Sequence, residues 1–297
     1  MKKGKKIKIG IPTRFLLAPT LVIFKAAGYN LETDVADEKA FQARIDDPEI
    51  ECFLGRAAEI VRRVGNGILD AGISSEDRVL ENREKVIEIC DLDYTRAGIW
   101  GKGKIALVVP KTSGIKTLKD LNGKTIITRF PRITKEFLKK YKVSANIEIS
   151  DVPNESQIGK LVDAGAEFTL TGSALVAYNL KPLAVIMETS AILIANEKSL
   201  KNKWKREKIE NLAMLLKGAR LAQEYSGLML HASDEMMEEV LKVLPALKKP
   251  TVTRLRGENW FDVLSVANKK EIREIIPRFK KIGCTDIVEF PLNKVVI

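Results

Sequence analysis

A chain of 297 residues, 45% of them apolar, is long enough for two or three domains with sizeable cores. Lys and Arg number 50 against 39 Asp and Glu, and the formal charge of +11 favours anionic partners: phosphorylated small molecules, a membrane surface or nucleic acid. The scattered Cys52, Cys90 and Cys284 argue against a disulfide framework or a zinc site, and no apolar run approaches the ~20 residues that span a bilayer, so the expected location is the cytoplasm.

Residues 8–12 form a short β-branched strand. Leu17, Leu21, Phe24 and Ala27 then share one face of a helix that Gly28 stops. A second helix over 56–64 ends at Gly65-Asn66-Gly67 and leads to a strand over 68–73, an order that implies a parallel sheet. The apolar strand 105–109 and the polar turn 111–114 mark a boundary near Val109-Pro110. Strands over 124–128 and 147–149, with a helix over 134–141 between them, build a second α/β unit that closes near Pro182. The apolar stretch 183–195 reads as a strand returning to the first unit, and two crossings between lobes leave a cleft. From Tyr225 the pattern is strand 225–232, helix 234–247, strands 250–255 and 261–267, helix 270–282 and strand 285–290. Met237, Val240, Leu241, Leu244 and Leu247 form one stripe behind the N-cap Ser233, so this module is ferredoxin-like βαββαβ.

The basic runs 2–8 and 201–206 read as solvated faces. No zinc finger, RNA-recognition signature or recognition helix accompanies them, which disfavours a nucleic-acid partner. The stretch most suggestive of chemistry is 161–175, where Asp163 and Glu167 precede the hydroxyl-rich turn Thr169-Leu170-Thr171-Gly172-Ser173. If a strand ends before Thr171-Gly172-Ser173 and a helix opens there, free backbone amides and the positive end of the helix dipole offer a phosphate site. Gly172 permits close approach. The plainer reading, Thr171 as a helix cap after a tight turn, stays open.

This stretch resembles the phosphoribosyl-pyrophosphate (PRPP) loop of ATP phosphoribosyltransferases, in which acidic residues precede a Thr-Gly-x-x-Leu turn. Residues 188–196 resemble the family's Ser-x-Ala-x-Leu-Ile-Ala-Asn strand, and Leu244-Pro245 with Pro250-Thr251-Val252 resemble two further landmarks in the right order. Weaker matches at Ile11-Pro12, Arg56 to Ile60, Asp70 to Ile73 with Asp77, and Phe130-Pro131 with Thr134 spread the resemblance over the chain. It implies a bilobal, periplasmic-binding-protein-like catalytic body, with lobe I at 1–108 plus 184–218 and lobe II at 109–183. A regulatory domain at 219–297 is the mark of the long form.

In the implied reaction, adenine N1 of ATP displaces pyrophosphate from the anomeric carbon of PRPP without a protein nucleophile, which suits a chain with a single histidine. Asp163 and Glu167 are then expected beneath the ribose, and Thr169, Thr171, Gly172, Ser173, Ala174 and Leu175 around the 5-phosphate. Arg14 and Arg56, and more weakly Asp77, are expected at ATP or the polyphosphate. Mg²⁺ is expected on the substrate, histidine as an effector within 219–297, and dimers or hexamers as the assembly. The chain departs from the family at Arg14-Phe15-Leu16-Leu17, where a Lys-Gly-Arg-Leu turn is usual, and at Ser74-Ser75, where the family has Thr-Gly. Glu167 replaces an aspartate, Ala58 an arginine, and Tyr178-Asn179 an Asn-Gly. These changes leave open a catalytically degenerate sensor that binds nucleotide or histidine.

Overall fold

The structure is a computed structural model and describes residues 5–33, 41–95, 100–150, 152 and 154–297. Residues 1–4, with Lys2 and Lys3 of the first basic run, lie outside the described residues. The chain forms two compact units, Met1–Val22 with Asn30–Ala213 and Ile23–Tyr29 with Met214–Ile297. The end expected for the catalytic body at 218 thus falls five residues past the point where the first unit ends.

The chain opens with β1 (Ile7–Pro12), α1 (Leu17–Ala27), β2 (Leu31–Glu32), β3 (Gln42–Ile45) and β4 (Ile50–Gly55). It continues through α2 (Ala57–Gly65), β5 (Ala71–Ser75), α3 (Glu76–Asn82) and β6 (Ile87–Asp91). Gly28 takes φ +91°, the left-handed conformation that ends α1 as the sequence suggests. The middle of the chain supplies β7 (Gly103–Pro110), β8 (Thr125–Thr128), α4 (Pro131–Lys140), β9 (Asn146–Ile149), β10 (Ala164–Thr169), α5 (Ser173–Ala177) and β11 (Leu180–Thr189). Then come β12 (Ala191–Ala195), α6 (Glu197–Lys201) and α7 (Lys203–Ala222).

Two sheets organise the first unit. The seven-stranded sheet runs β2-β3-β4-β1-β5-β12-β6, with β1 parallel to β4 and β5. The five-stranded sheet runs β11-β7-β10-β8-β9, with β8 parallel to β10 and β9. The expected lobe boundaries at 108/109 and 183/184 fall inside β7 and β11, and both strands belong to the five-stranded sheet. The chain therefore crosses between sheets after β6 and again at Ser190. The stretch 183–195 reads as one strand because both halves are apolar, yet β11 is only partly buried while every residue of β12 is buried. Ser190 breaks it, donating from Oγ to Asp91 Oδ1 at 2.7 Å.

Each sheet has its own core: Ile60, Val61, Val64, Ile192 and Ile194 on one, and Leu107, Val109, Leu121, Ile126 and Leu138 on the other. Burying each such side chain contributes about 1.5–3 kcal/mol.

The second unit contains β13 (Tyr225–Ser233), α8 (Met237–Val243), β14 (Thr251–Arg254), β15 (Trp260–Asn268), α9 (Lys269–Ile282) and β16 (Thr285–Pro291). Its antiparallel sheet has the order β14-β15-β13-β16, the ferredoxin-like arrangement expected of βαββαβ. Leu228, Leu230, Val240, Val263, Ile272 and Phe279 fill the space between sheet and helices. The helix expected to reach 247 stops at Val243, because Leu244 precedes Pro245 and is held extended.

Candidate active site

The carboxyl ends of the parallel strands converge on one cleft of about 560 Å³. Residues 13–16 follow β1, residues 56–59 follow β4, Ser75 ends β5, and Arg129 comes directly after β8. Among the described residues, Arg62 and Arg78 complete a lining that contains five arginines, Arg14, Arg56, Arg62, Arg78 and Arg129, against the single carboxylate of Glu59. Open α/β sheets bind ligands outside the carboxyl ends of their strands, because the loops there bring helix starts and side chains together. Five guanidinium groups in one cleft create a strongly positive potential that favours a ligand with several negative charges.

Arg14 holds φ +61°, a left-handed conformation that costs a non-glycine residue about 1–2 kcal/mol. Arg56 precedes α2, and its backbone N–H donates to Glu59 Oε2 at 3.3 Å. Among the described residues neither Arg14 nor Arg56 forms an ion pair, so both expected arginines face the cleft with their charge uncompensated. The other three are held. Arg62 Nη1 donates to Asn82 Oδ1 at 3.0 Å. Arg78 Nε lies 3.2 Å from Asp77 Oδ2, and its guanidinium sits 4.8 Å above the Phe130 ring. Arg129 Nη2 lies 3.1 Å from Glu167 Oε2.

Asp77, expected at the nucleotide, is fully buried and holds protein groups instead. Thr189 Oγ1 donates to its Oδ1 at 2.9 Å, and its own backbone N–H donates to Thr189 Oγ1 at 3.2 Å. It thereby ties α3 to the end of β11 and fixes Arg78.

Asp163 and Glu167 do not come together. Asp163 precedes β10, where Oδ2 accepts from Thr125 N–H at 2.9 Å and Oδ1 lies 3.2 Å from Lys124 Nζ. The Thr125 hydrogen bond, with help from Lys124, lowers its pKa below the usual carboxylate range. This is the amino end of the parallel pair β8 and β10, away from the end where Arg129 and the turn emerge. Four residues of strand set Asp163 about 13 Å from Glu167, too far for both to hold one sugar ring.

Glu167 is fully buried, and Asn154 Nδ2 donates to its Oε1 at 2.7 Å. Burial raises its pKa, and the Arg129 charge and the Asn154 hydrogen bond only partly offset this. Glu167 thus meets Arg129 and Asn154 directly, and reaches the cleft through Arg129.

The turn forms at the carboxyl end of β10, as the sequence suggests. Thr169 ends the strand, Gly172 takes φ +77°, and α5 opens at Ser173. A Cβ at Gly172 would meet nothing within 4 Å, so the requirement for glycine is conformational. Thr171, Ser173 and Ala174 are exposed, and Thr171 Oγ1 donates to Ser173 Oγ at 3.1 Å. Leu175 is the buried anchor, packed in the cluster of Ala106, Val108 and Ile127. None of residues 169–175 lines the arginine cleft.

Arg62, Arg78, Arg129 and Asn154 go unnoticed in the sequence, because an arginine in a cleft has the same local pattern as one on a solvated helix. The usable signal was position: Arg78 and Arg129 lie within three residues of the carboxyl end of a parallel strand.

Two α/β sheets that present arginines and a hydroxyl turn at their strand ends define a two-lobed protein built to hold polyanionic ligands. Residues 56–218 match the family described as ATP phosphoribosyltransferase, and residues 222–294 match its C-terminal domain. An ATP phosphoribosyltransferase of Pelotomaculum thermopropionicum is 39% identical over 291 residues, covering 98% of this chain and 99% of that protein. One of Solibacter usitatus is 40% identical over 291 residues, with the same shares. In the "ATP phosphoribosyl transferase (HisG:HisZ) complex" of Thermotoga maritima, one chain shares the fold with a TM-score of 0.59 and 22% identity, over 71% of this chain and 98% of that one. The chain belongs to the ATP phosphoribosyltransferase family, in its long form with the C-terminal domain. It is a pentosyltransferase of the first step of histidine biosynthesis, joining the phosphoribosyl group of PRPP to N1 of ATP with release of pyrophosphate. The family generally requires a divalent metal.

Proposed function

We propose that the arginine cleft and the 171–175 turn divide the substrates between them. The turn cradles the 5-phosphate of PRPP through Thr171, Gly172, Ser173, Ala174 and the Thr169 hydroxyl, with Leu175 as its anchor. The cleft takes the pyrophosphate of PRPP and the polyphosphate of ATP, with Arg14 and Arg56 as the free cations and Phe15, 64% exposed at the same cleft, as an apolar face for the purine. The observation that carries this reading is the gathering of five arginines at the carboxyl ends of β1, β4, β5 and β8.

Displacement at the anomeric carbon builds positive charge on the sugar and negative charge on the leaving pyrophosphate. Prepositioned guanidinium groups stabilise the latter without reorganising. Glu167 keeps Arg129 in place, Asp77 keeps Arg78 in place, and Asp163 clamps the start of β10 to β8.

Among the described residues no group of three His, Cys, Asp or Glu is arranged to hold a metal ion, and the cleft is cationic. Those residues fit a metal carried by substrate oxygens, and Mg²⁺ is the ion we assign. Bound there it neutralises phosphate charge. The module at 219–297 takes histidine as a feedback effector, and the enzyme works in the cytoplasm as a dimer or hexamer.

Kinetics of Arg56→Ala and Arg14→Ala test the cleft. Each variant raises KM for a phosphorylated substrate about tenfold or more, the effect shrinking with added salt. Unchanged KM values for both ATP and PRPP in both variants refute the assignment.

A further inference from the structure

Two buried donors on the cleft wall have no hydrogen-bond partner among the described residues. Ser75 occupies the N-cap position of α3 with φ −134° and ψ 153°, where a serine side chain ordinarily accepts from an amide of the first turn. It makes no such bond, and the first two amides of the turn are engaged elsewhere. Glu76 N–H donates to Ser190 O at 3.2 Å, and Asp77 N–H donates to Thr189 Oγ1 at 3.2 Å. The neighbouring Ser74 hydroxyl donates to Ala57 O at 3.0 Å. Ser75 is 4% exposed, and its Oγ is buried without a hydrogen-bond partner among the described residues.

Arg129, which follows β8 of the other sheet, repeats the situation. Its Nη2 is fixed by Glu167, which Asn154 holds from the other side, while its Nε is buried without a partner among the described residues. Both residues line the same cleft. Buried donors left unmet are rare and unfavourable in the free protein, and two on one cleft are accounted for when a ligand accepts from them. The ligand carries several negative charges, because it sits among five arginines. A diphosphate meets that requirement and a single phosphate monoester does not.

We propose that the Ser75 hydroxyl and the Arg129 Nε–H donate to oxygens of one diphosphate group bound in the cleft, with Glu167 and Asn154 as positioning residues that aim Arg129. The inference rests on the reading of the cleft as a phosphate site and adds the two donors that define where the diphosphate lies.

Calorimetric titration of the full chain with inorganic pyrophosphate tests it, on wild type, Ser75→Ala, Ser75→Gly and the paired charge removal Arg129→Gln/Glu167→Gln, which leaves no unpaired buried charge. A hydroxyl that bonds to a charged acceptor should weaken binding about tenfold or more when removed, in both Ser75 variants. The pair should bind at least as weakly, whereas Glu167→Gln alone, which keeps the guanidinium, should retain part of the affinity. A thermal scan without ligand separates this role from a structural one. Ser75→Ala removes an unmet donor and makes no cavity larger than one oxygen, so the free protein should melt at the same temperature or a few degrees higher. Wild-type affinity in Ser75→Ala, or a lowered melting temperature with unchanged affinity, overturns the inference alone. A wild-type protein that does not bind pyrophosphate overturns the cleft reading with it.

Discussion

Replacing Arg129 by glutamine removes the charge that faces Glu167 and leaves a fully buried carboxylate with only Asn154 to stabilise it. Breaking a buried pair from one side costs about 3–5 kcal/mol. Arg129 keeps some contact with solvent and Asn154 still donates, so the loss here should be about 2–4 kcal/mol, or roughly 5–15 °C in the melting temperature of a unit this size. The loss depends on pH in a definite direction. Burial already raises the pKa of Glu167 above its unfolded value, and removing Arg129 raises it further. A group with a raised folded pKa favours the folded state below its unfolded pKa and loses that advantage as pH rises through the folded one. Arg129→Gln should therefore be most damaging at pH 8 and progressively less so toward pH 5, as Glu167 takes up a proton. Urea denaturation of wild type and variant across that range measures the difference. Adding Glu167→Gln should restore stability to within about 1 kcal/mol of wild type, because no buried charge then remains. A loss below about 1 kcal/mol, or one of equal size at pH 5 and pH 8, would refute the argument that Glu167 is a buried charge held by Arg129.

Three further outcomes follow from the same geometry. Gly172→Val should lower stability by about 1–2 kcal/mol and raise KM for PRPP, while Gly172→Asn does so less, since space is open at this position and the left-handed φ is the constraint; denaturation and steady-state kinetics measure both. Asp163→Asn should cost about 0.5 kcal/mol near neutral pH, because the carboxylate is partly solvated. Its lowered pKa gives stability that is present above the ordinary carboxylate range and lost as pH falls through the folded value, so the difference from wild type should shrink steadily as an acid titration passes below the ordinary carboxylate range. Asp77→Asn, which frees Arg78 and weakens the link to Thr189, should raise KM for the phosphorylated substrates more than Asp163→Asn does, as parallel kinetic assays of the two variants would show.

The C-terminal module was legible because its order is carried by local signals, period-two strands and an apolar stripe whose Met237 and Val240 pack on the core, although Ser233 precedes the 3-10 turn Asp234–Met236 without a side-chain capping bond and α8 itself is preceded by Met236. The end of α1 was legible because Gly28 sets the backbone there, whereas the end of α8 was missed: the apolar stripe carries on to Leu247, but Pro245 stops the helix at Val243. The boundary near 183 was not legible, because the apolar run from Leu183 continues with little interruption into β12, and its two halves go to different sheets.

The site divides in the same way. The turn at Gly172 has a local backbone signature. By contrast, residues four apart on a strand share a face, which makes Asp163 and Glu167 look like partners although the strand separates them by about 13 Å. The arginine cleft is a product of topology, assembled from four strand ends far apart in sequence, and single-residue reading reaches only Arg14 and Arg56 of its five cations.

The most direct test of the account is to mix purified protein with ATP, PRPP and Mg²⁺ and follow phosphoribosyl-ATP spectrophotometrically, with pyrophosphatase present to draw the reaction forward. Wild type should form product, and Arg56→Ala combined with Arg14→Ala should lower kcat/KM by about 100-fold or more, the scale expected when charges that stabilise a leaving group are removed. Product formed by the double variant at the wild-type rate would mean that the arginine cleft is not where the reaction occurs.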